Sequence, residues 1–413
     1  MTAADGSRSE PTVEVLGPDR HRDAAEMFAA AYLVGPVTDA MWARSAPSYA
    51  GATLHAVVED DGTIGALSRW FPQRLAVPGG EVDAAGVSSV GVRIDRRRRG
   101  YLRAVQTTQL RELRGAGVVA ATLRASEASI YARFGYGAAS RYGTLTVDRA
   151  RARLRDDAAV ADVELDLLDP EAAIPEVTAA HDRVRGTRPG TVDRPTWWWI
   201  TLVRGQLDRD QPLWVLAARD RTTRAIVGWI VWSCPDRPRW GHGVAATVSV
   251  LDLFGADTGV ELALWQAALG IDLAERLEAP GRAVDSRLPL ALVDERAAHL
   301  GDLEDETWLR LVDVEAALTA RSWGPGEQVV LGVRDAVLPE NDGSYTVGRD
   351  GVGRSRAVAE VELDVADLAA VYLGGTTVAD LASVGRARGA VAAVAALDRL
   401  LATPEQPWSG TYF

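Results

Sequence analysis

The run Val90-Gly91-Val92-Arg93-Ile94-Asp95-Arg96-Arg97-Arg98-Arg99-Gly100-Tyr101-Leu102 places four consecutive arginines and a glycine between a strand-like apolar segment and the start of a helical pattern. A turn that opens a helix leaves backbone N–H groups without intrahelical acceptors, and these point outward together with the positive end of the helix dipole. An anionic diphosphate fits such a place. Gly100 allows the backbone to approach the ligand closely, and the arginines around it add positive charge. Four arginines in a row are also the composition of a solvated face, so the strand-turn-helix setting carries the argument. A second segment, Leu123 to Gly137, follows at short distance and holds two tyrosines, Tyr131 and Tyr136.

Arg97 to Leu102 resembles the R/Q-x-x-G-x-G/A acyl-coenzyme A signature of GNAT acetyltransferases, with Leu102 standing where Gly or Ala is commonest. The downstream segment is similar to the helix and Y-x-x-x-G-F/Y of the same enzymes. The combination A-S-E-x-x-I-Y-x-R-F-G-Y-G after V-x-V-x-x-x-x-R-R-R-G resembles the actinobacterial Eis (enhanced intracellular survival) family. That resemblance runs the length of the chain, through W-L-R-x-x-D-V-x-A-A-L at Trp308 to Leu318 and Tyr372-Leu373-Gly374-Gly375.

The resemblance implies transfer of acetyl from acetyl-CoA to a primary amine by direct attack, with aminoglycosides and lysine ε-amines as acceptors and a homohexameric assembly. It implies that Tyr131 is the general acid that protonates the departing thiolate. A phenol with a pKa near ~10 can do this without being ionised at rest. Tyr136 is the rival for that role but falls outside the motif's catalytic slot. The family's other catalytic group is the carboxylate of the last residue, here Phe413. A carboxylate with a pKa of about 3.5 is a weak base unless buried, so it would chiefly orient the incoming ammonium while a water carries the proton. By the same matching, the backbone of Val90, Gly91 and Val92 pairs with the pantetheine arm. Arg98, Arg99, Gly100, Tyr101, Leu102 and Arg103 hold the phosphates, Ser126 and Glu127 line the cofactor, and Trp42 lines the substrate. The loop Gly35 to Asp39 does not align cleanly.

These residues need elements to position them, and the pattern supplies them. Asp19 to Ala31 predicts an amphipathic helix. Leu54 to Glu59 and Thr63 to Phe71 predict strands around Asp60-Asp61-Gly62, and the middle of Glu81 to Ile94 predicts a third. Tyr101 to Gly115 carries Leu102, Val105, Leu110 and Leu113 near a 3.6-residue period, which predicts a helix ending at Gly115-Ala116-Gly117 before a strand at Val118 to Leu123. Past a composition shift near Arg149 to Ala161 that reads as a linker or an exposed helix, Pro195-Thr196-Trp197-Trp198-Trp199 reads as a helix start. Leu213 to Ala218 with Ala225 to Ser233 reads as a hairpin. Val248 to Phe254 followed by Gly259 to Leu269 repeats the strand-then-helix order without the glycine-arginine turn.

The expectation is an α/β (α+β) chain in three parts. These are an N-terminal GNAT domain at 1–150, a central GNAT-like domain without a phosphate turn at 151–300, and a sterol-carrier-like domain at 301–413. The resemblance implies that the tail of the last part returns to the active site.

Composition narrows the alternatives. A formal net charge of -12 over 413 residues disfavours a nucleic-acid partner, whose phosphates need a basic face, and favours small cationic amines or lysine-bearing peptides. All 45 basic residues are arginine, which excludes a lysine Schiff base and a Walker lysine. The single cysteine, Cys234, can build neither a disulfide framework nor a thiolate zinc site, and it reads as a core thiol. His21, His55, His181, His242 and His299 show no metal-ligand spacing, so no metal is expected. Ser88 and Ser89 lack the G-x-S-x-G elbow of serine hydrolases. Met1 to Pro11 lacks an apolar signal core and no run of 18 apolar residues occurs, so the chain reads as cytoplasmic and free of a membrane. Two other readings stay open: a carrier of an apolar ligand on the sterol-carrier-like part, and a lysine acetyltransferase dedicated to one protein.

Overall fold

The computed structural model describes residues 11–209, 211–235 and 246–413. His242 lies outside them. The first sheet has seven strands in the spatial order Glu14–Val15, Thr53–Val58, Ile64–Val77, Gly80–Val92, Ala120–Leu123, Trp308–Leu311 and Gly137–Ala138. Its centre is the long hairpin of Ile64–Val77 with Gly80–Val92, whose alternation presents different residues to two helices. His55, Val57, Ala66 and Ser68 face the helix Tyr101–Gly115, where Ser68 accepts from Gln106 Nε2 at 3.0 Å and donates to Gln109 Oε1 at 3.1 Å. Leu54, Ala56 and Leu67 face the helix His21–Ala31 through Ala24 and Ala25. The helix at Tyr101–Gly115 buries Val105, Leu110 and Leu113, as its period requires.

The second sheet follows the same plan: Ala298–Asp305, Arg141–Asp148, Ala274–Ala283, Ala246–Gly255, Ile226–Ser233, Leu213–Asp220 and Val163–Leu168. Each sheet contains one parallel pair at the corresponding place, Gly80–Val92 with Ala120–Leu123 and Ala246–Gly255 with Ala274–Ala283. The strand beyond that pair comes from the other half of the chain in both cases. Arg141–Asp148 leaves the first unit to lie between Ala274–Ala283 and Ala298–Asp305. Trp308–Leu311 returns from beyond the second unit to lie between Ala120–Leu123 and Gly137–Ala138. The sheets therefore do not divide at 150 and 300. Strand identity is a local property, whereas strand partnership depends on contacts far apart in the chain.

The third part is a five-stranded sheet, Gly353–Ser355, Gly343–Val347, Val329–Arg334, Val361–Asp364 and Ala387–Gly389. The helices Val314–Ala320, Val365–Tyr372, Val378–Ser383 and Val391–Leu401 accompany it. All eight residues of Val365–Tyr372 are buried, because this helix packs on its own sheet and on the first sheet at once. A side chain at Gly137 would strike the Ala366 carbonyl at 2.0 Å, so only glycine fits that crossing. Arg310 Nη2, on the returning strand, donates to both carboxylate oxygens of Asp335 at 2.9 and 2.7 Å, with both side chains fully buried.

Candidate active site

Strand Gly80–Val92 pairs with Ala120–Leu123 only from Ala84 to Gly86. Beyond Gly86 the two strands part, and Val87 to Val92 keep their backbone bonds to Ile64–Val77 on one side alone. A β-bulge opens at the same place. Leu67 pairs with Gly91 and Arg69 with Ser88, so Ser89 and Val90 oppose the single residue Ser68, and Ser89 takes a φ of 51°. The free edge offers amide groups to a ligand that can add like a further strand. A cavity of about 680 Å³ runs along it, lined by Val90, Gly91, Val92, Ser126, Glu127 and Tyr131.

The far end of that cavity is the arginine turn. Gly100 stands at the N-cap of Tyr101–Gly115 with a φ of 83° and no side-chain cap, and Arg98 also lies in the left-handed region at 63°. The first helical amides are therefore left for an anion. Arg98, Gly100, Tyr101, Leu102 and Arg103 line the cavity. Arg99 does not. It turns toward Glu59, 3.7 Å from Oε1, while Arg96 and Arg97 line the cavity in its place. Glu59 also accepts from Arg96 Nε at 2.7 Å and Tyr101 Oη at 2.9 Å, and these hydrogen bonds hold its carboxyl below the usual range. The second domain closes the corresponding place. Asp257 caps the helix Thr258–Leu269 by accepting from the Val260 amide at 2.9 Å, so an amide that an uncapped start would offer an anion is already taken by a carboxylate.

Tyr131 reaches the cavity from the short helix Ala128–Tyr131 and is 5% exposed. Burial, with the nearby Tyr32 hydroxyl adding to it, pushes its phenol up to about 12. Tyr136 packs edge-on against it at 5.9 Å, is wholly buried and does not line the cavity. Burial drives its phenol higher still.

Phe413 lies on the same hairpin. Its ring meets Phe71 edge-on at 5.2 Å, and Phe71 meets Trp197 at 5.3 Å. The segment before it is docked throughout. Glu306, buried, accepts from the amides of Ser409 and Gly410 at 2.8 and 2.9 Å. Arg194 Nη2 donates to the Gly410 carbonyl at 2.6 Å and its Nε to Thr411 Oγ1 at 2.9 Å. Arg124 donates to the Thr411 carbonyl at 3.0 Å, and Trp198 Nε1 to the Tyr412 carbonyl at 2.6 Å. A second cavity of about 380 Å³ ends at Phe413, between Arg44, Ser48, Arg69, Trp197 and Trp198. Trp42 is not part of its lining. Its ring packs on Tyr49 at 5.3 Å, and its helix instead presents Arg44 and Ser45. The two cavities are built within two residues of each other, since Arg69 pairs with Ser88 beside Val90.

The family of the Acetyltransferase (GNAT) domain matches residues 12–139, a second Acetyltransferase (GNAT) domain matches 190–311, and the Sterol carrier protein domain matches 314–410. N-acetyltransferase Eis of Mycobacterium bovis is 32% identical over 86% of this chain and 87% of that protein. This chain belongs to the Eis family of GNAT N-acetyltransferases. The crystal structure of Eis1 from Mycobacterium abscessus superposes with a TM-score of 0.87 at 32% identity, covering 97% of this chain and all of that one. An uncharacterised N-acetyltransferase of Streptomyces coelicolor is 37% identical over 77% of this chain and 78% of its own length. Membership makes acetyl-CoA the co-substrate and an amine the acceptor, and the splayed strands with the uncapped turn fit a pantetheine arm and diphosphate. Among the described residues of this Eis-family chain no helix is long and apolar enough to cross a membrane.

Sequence reasoning missed Arg69, Arg44 and the tryptophans Trp197 and Trp198 as cavity residues. Arg69 had one legible signal, a charge inside a strand between Leu67 and Phe71, its apolar neighbours at the period-2 positions.

Proposed function

We propose that the chain acetylates the primary amine of a small acceptor held in the cavity that ends at Phe413, with acetyl-CoA along Val90 to Val92 and its diphosphate on the turn from Arg98 to Arg103. The observation that supports this most is that two cavities are built on one strand pair, one ending at a docked Phe413 and the other reaching Tyr131. The unprotonated amine attacks the thioester carbonyl, whose oxygen is polarised by the backbone at the Ser89–Val90 bulge. Tyr131 gives its proton to the departing thiolate, forming the thiol, while the acylated nitrogen sheds its second proton to solvent, from which Tyr131 recovers one. The Phe413 carboxylate orients the ammonium, whose proton leaves through a water to solvent before attack.

Aminoglycosides and lysine-type amines are the acceptors the family suggests, and the same reading places the protein in the cytoplasm as a hexamer. Thiol release from acetyl-CoA with a panel of small amines, polyamines, an aminoglycoside and a lysine peptide tests it, with Tyr131→Phe alongside. Amine-dependent release that falls sharply in Y131F is expected. Absence of thiol release with every amine would leave the apolar-ligand carrier as the better reading, and release with peptide amines alone would favour a lysine acetyltransferase dedicated to one protein.

A further inference from the structure

Arg69 is 6% exposed and lines the cavity that ends at Phe413. Its Nη1 donates to the Ser48 carbonyl at 3.0 Å and to Ser48 Oγ at 2.8 Å, and its guanidinium lies over the Tyr49 ring, 4.4 Å from the centroid. Nε is buried with no acceptor. Among the described residues no carboxylate pairs with it, Phe413 included, and the one favourable charge effect it feels comes from Tyr49. Burial pulls its pKa below the ordinary value, and its positive charge helps to lower that of His21 nearby. The other cation of the cavity, Arg44, is already paired with Asp208. The cavity lining holds no acidic side chain.

A buried guanidinium without a counter-ion is costly by several kcal/mol, and removing the cost requires an anion with good geometry. The planar fork of arginine matches a carboxylate with two parallel hydrogen bonds. Ser48 holds Nη1 and the Tyr49 ring covers one face of the guanidinium, while the buried Nε has no acceptor. The walls facing it, Trp197 and Trp198, suit an apolar or aromatic body.

Resting on the reading of this cavity as the acceptor site, we infer that the acceptor is an amine that also carries a carboxylate, and that Arg69 is the residue that selects it. The acceptor's ammonium goes to the Phe413 carboxylate and its own carboxylate to Arg69, so each charge of a zwitterion meets its opposite in one cavity. A polycation would bring further ammonium groups against Arg69 and be repelled.

Two matched pairs test this in the full-length protein: 4-(aminomethyl)benzoate against 4-methylbenzylamine, and phenylalanine against phenethylamine. A charge-assisted pair is worth roughly 1.5–3 kcal/mol, about ten- to a hundredfold in kcat/KM. The carboxylate member of at least one pair is expected to be preferred by that factor. In Arg69→Gln the ratio between the members should fall toward one, and Arg69→Lys should recover part of it. Equal turnover of both members by the unaltered protein, or a uniform loss on both in R69Q, would overturn the inference and make Arg69 a support for the Ser48 turn alone. Calorimetric binding of the product 4-(acetamidomethyl)benzoate separates this from the acetyltransferase reading. Binding that needs Arg69 supports a carboxylate site even if no amine releases thiol, and binding unchanged in both R69Q and Arg69→Met, with melting temperatures confirming a folded chain, would refute it.

Discussion

The ring of Phe413 meets that of Phe71 edge-on at 5.2 Å, which packs the last residue on the strand that carries Arg69 two positions earlier. The contact joins the end of the sterol-carrier part to the first GNAT domain. It is held in place from the second domain, so all three parts contribute to one cavity.

The clamp from the second domain is the buried pair Arg194 with Asp252, at 2.8 and 3.2 Å, which also holds Gly410 and Thr411. Arg194→Met leaves Asp252 buried and unpaired, so a loss of roughly 3–5 kcal/mol is expected in denaturant unfolding. Adding Asp252→Asn, which still accepts from Trp229 Nε1, should restore much of that stability. Amine turnover should stay low in the double variant, because Gly410 and Thr411 still lack the two hydrogen bonds that Arg194 gives them.

Gly100 holds a φ of 83° with open space where a Cβ would stand, so Gly100→Ala suffers backbone strain alone, roughly 1–2 kcal/mol. The helix start should shift and acetyl-CoA binding weaken by about tenfold. Asp257→Ala removes the cap of the matching helix in the second domain. It should cost roughly 1 kcal/mol of stability without altering acetyl-CoA affinity in calorimetry.

With its phenol pushed up to about 12, Tyr131 stays protonated through the working range. The kcat profile should rise with pH as the amine loses its proton and then run flat, with no falling limb below about pH 11. Tyr131→Phe should lower kcat by about 10²–10⁴ with acetyl-CoA affinity retained. A raised pKa also makes the stability contribution of Tyr131 present below its unfolded value near ~10 and lost as pH rises through the folded one.

His181 is buried against Trp199, Trp229 and Phe254, and neither ring nitrogen has a partner. Burial, then the charges of Arg194 and Arg185, lowers its pKa well below 6.5. The unfolded chain binds this proton first, so stability is full above about pH 6.5 and declines as pH falls, by up to about 1.4 kcal/mol per unit from this group. His181→Phe should flatten that part of the urea-midpoint profile between pH 6.5 and 5.

Much of this arrangement was legible in the chain. The helix Tyr101–Gly115 follows from apolar spacing, and the turn before it from Gly100 and the arginines. The direction of each arginine was not, because a charged side chain in a turn is placed by distant partners such as Glu59, which drew Arg99 aside. The exchange of Arg141–Asp148 and Trp308–Leu311 was also hidden, since two similar sheets offer each strand two chemically similar positions. Trp42 packs on Tyr49 and does not line the cavity that ends at Phe413, and that contact is one that local pattern does not encode.

The most direct measurement appends one alanine after Phe413 and compares amine-dependent thiol release with that of the unaltered chain. A carboxylate moved by one residue should lower kcat/KM by about a hundredfold or more, with melting temperature and acetyl-CoA affinity unchanged. Turnover equal to that of the unaltered chain would contradict the account and take Phe413 out of the chemistry.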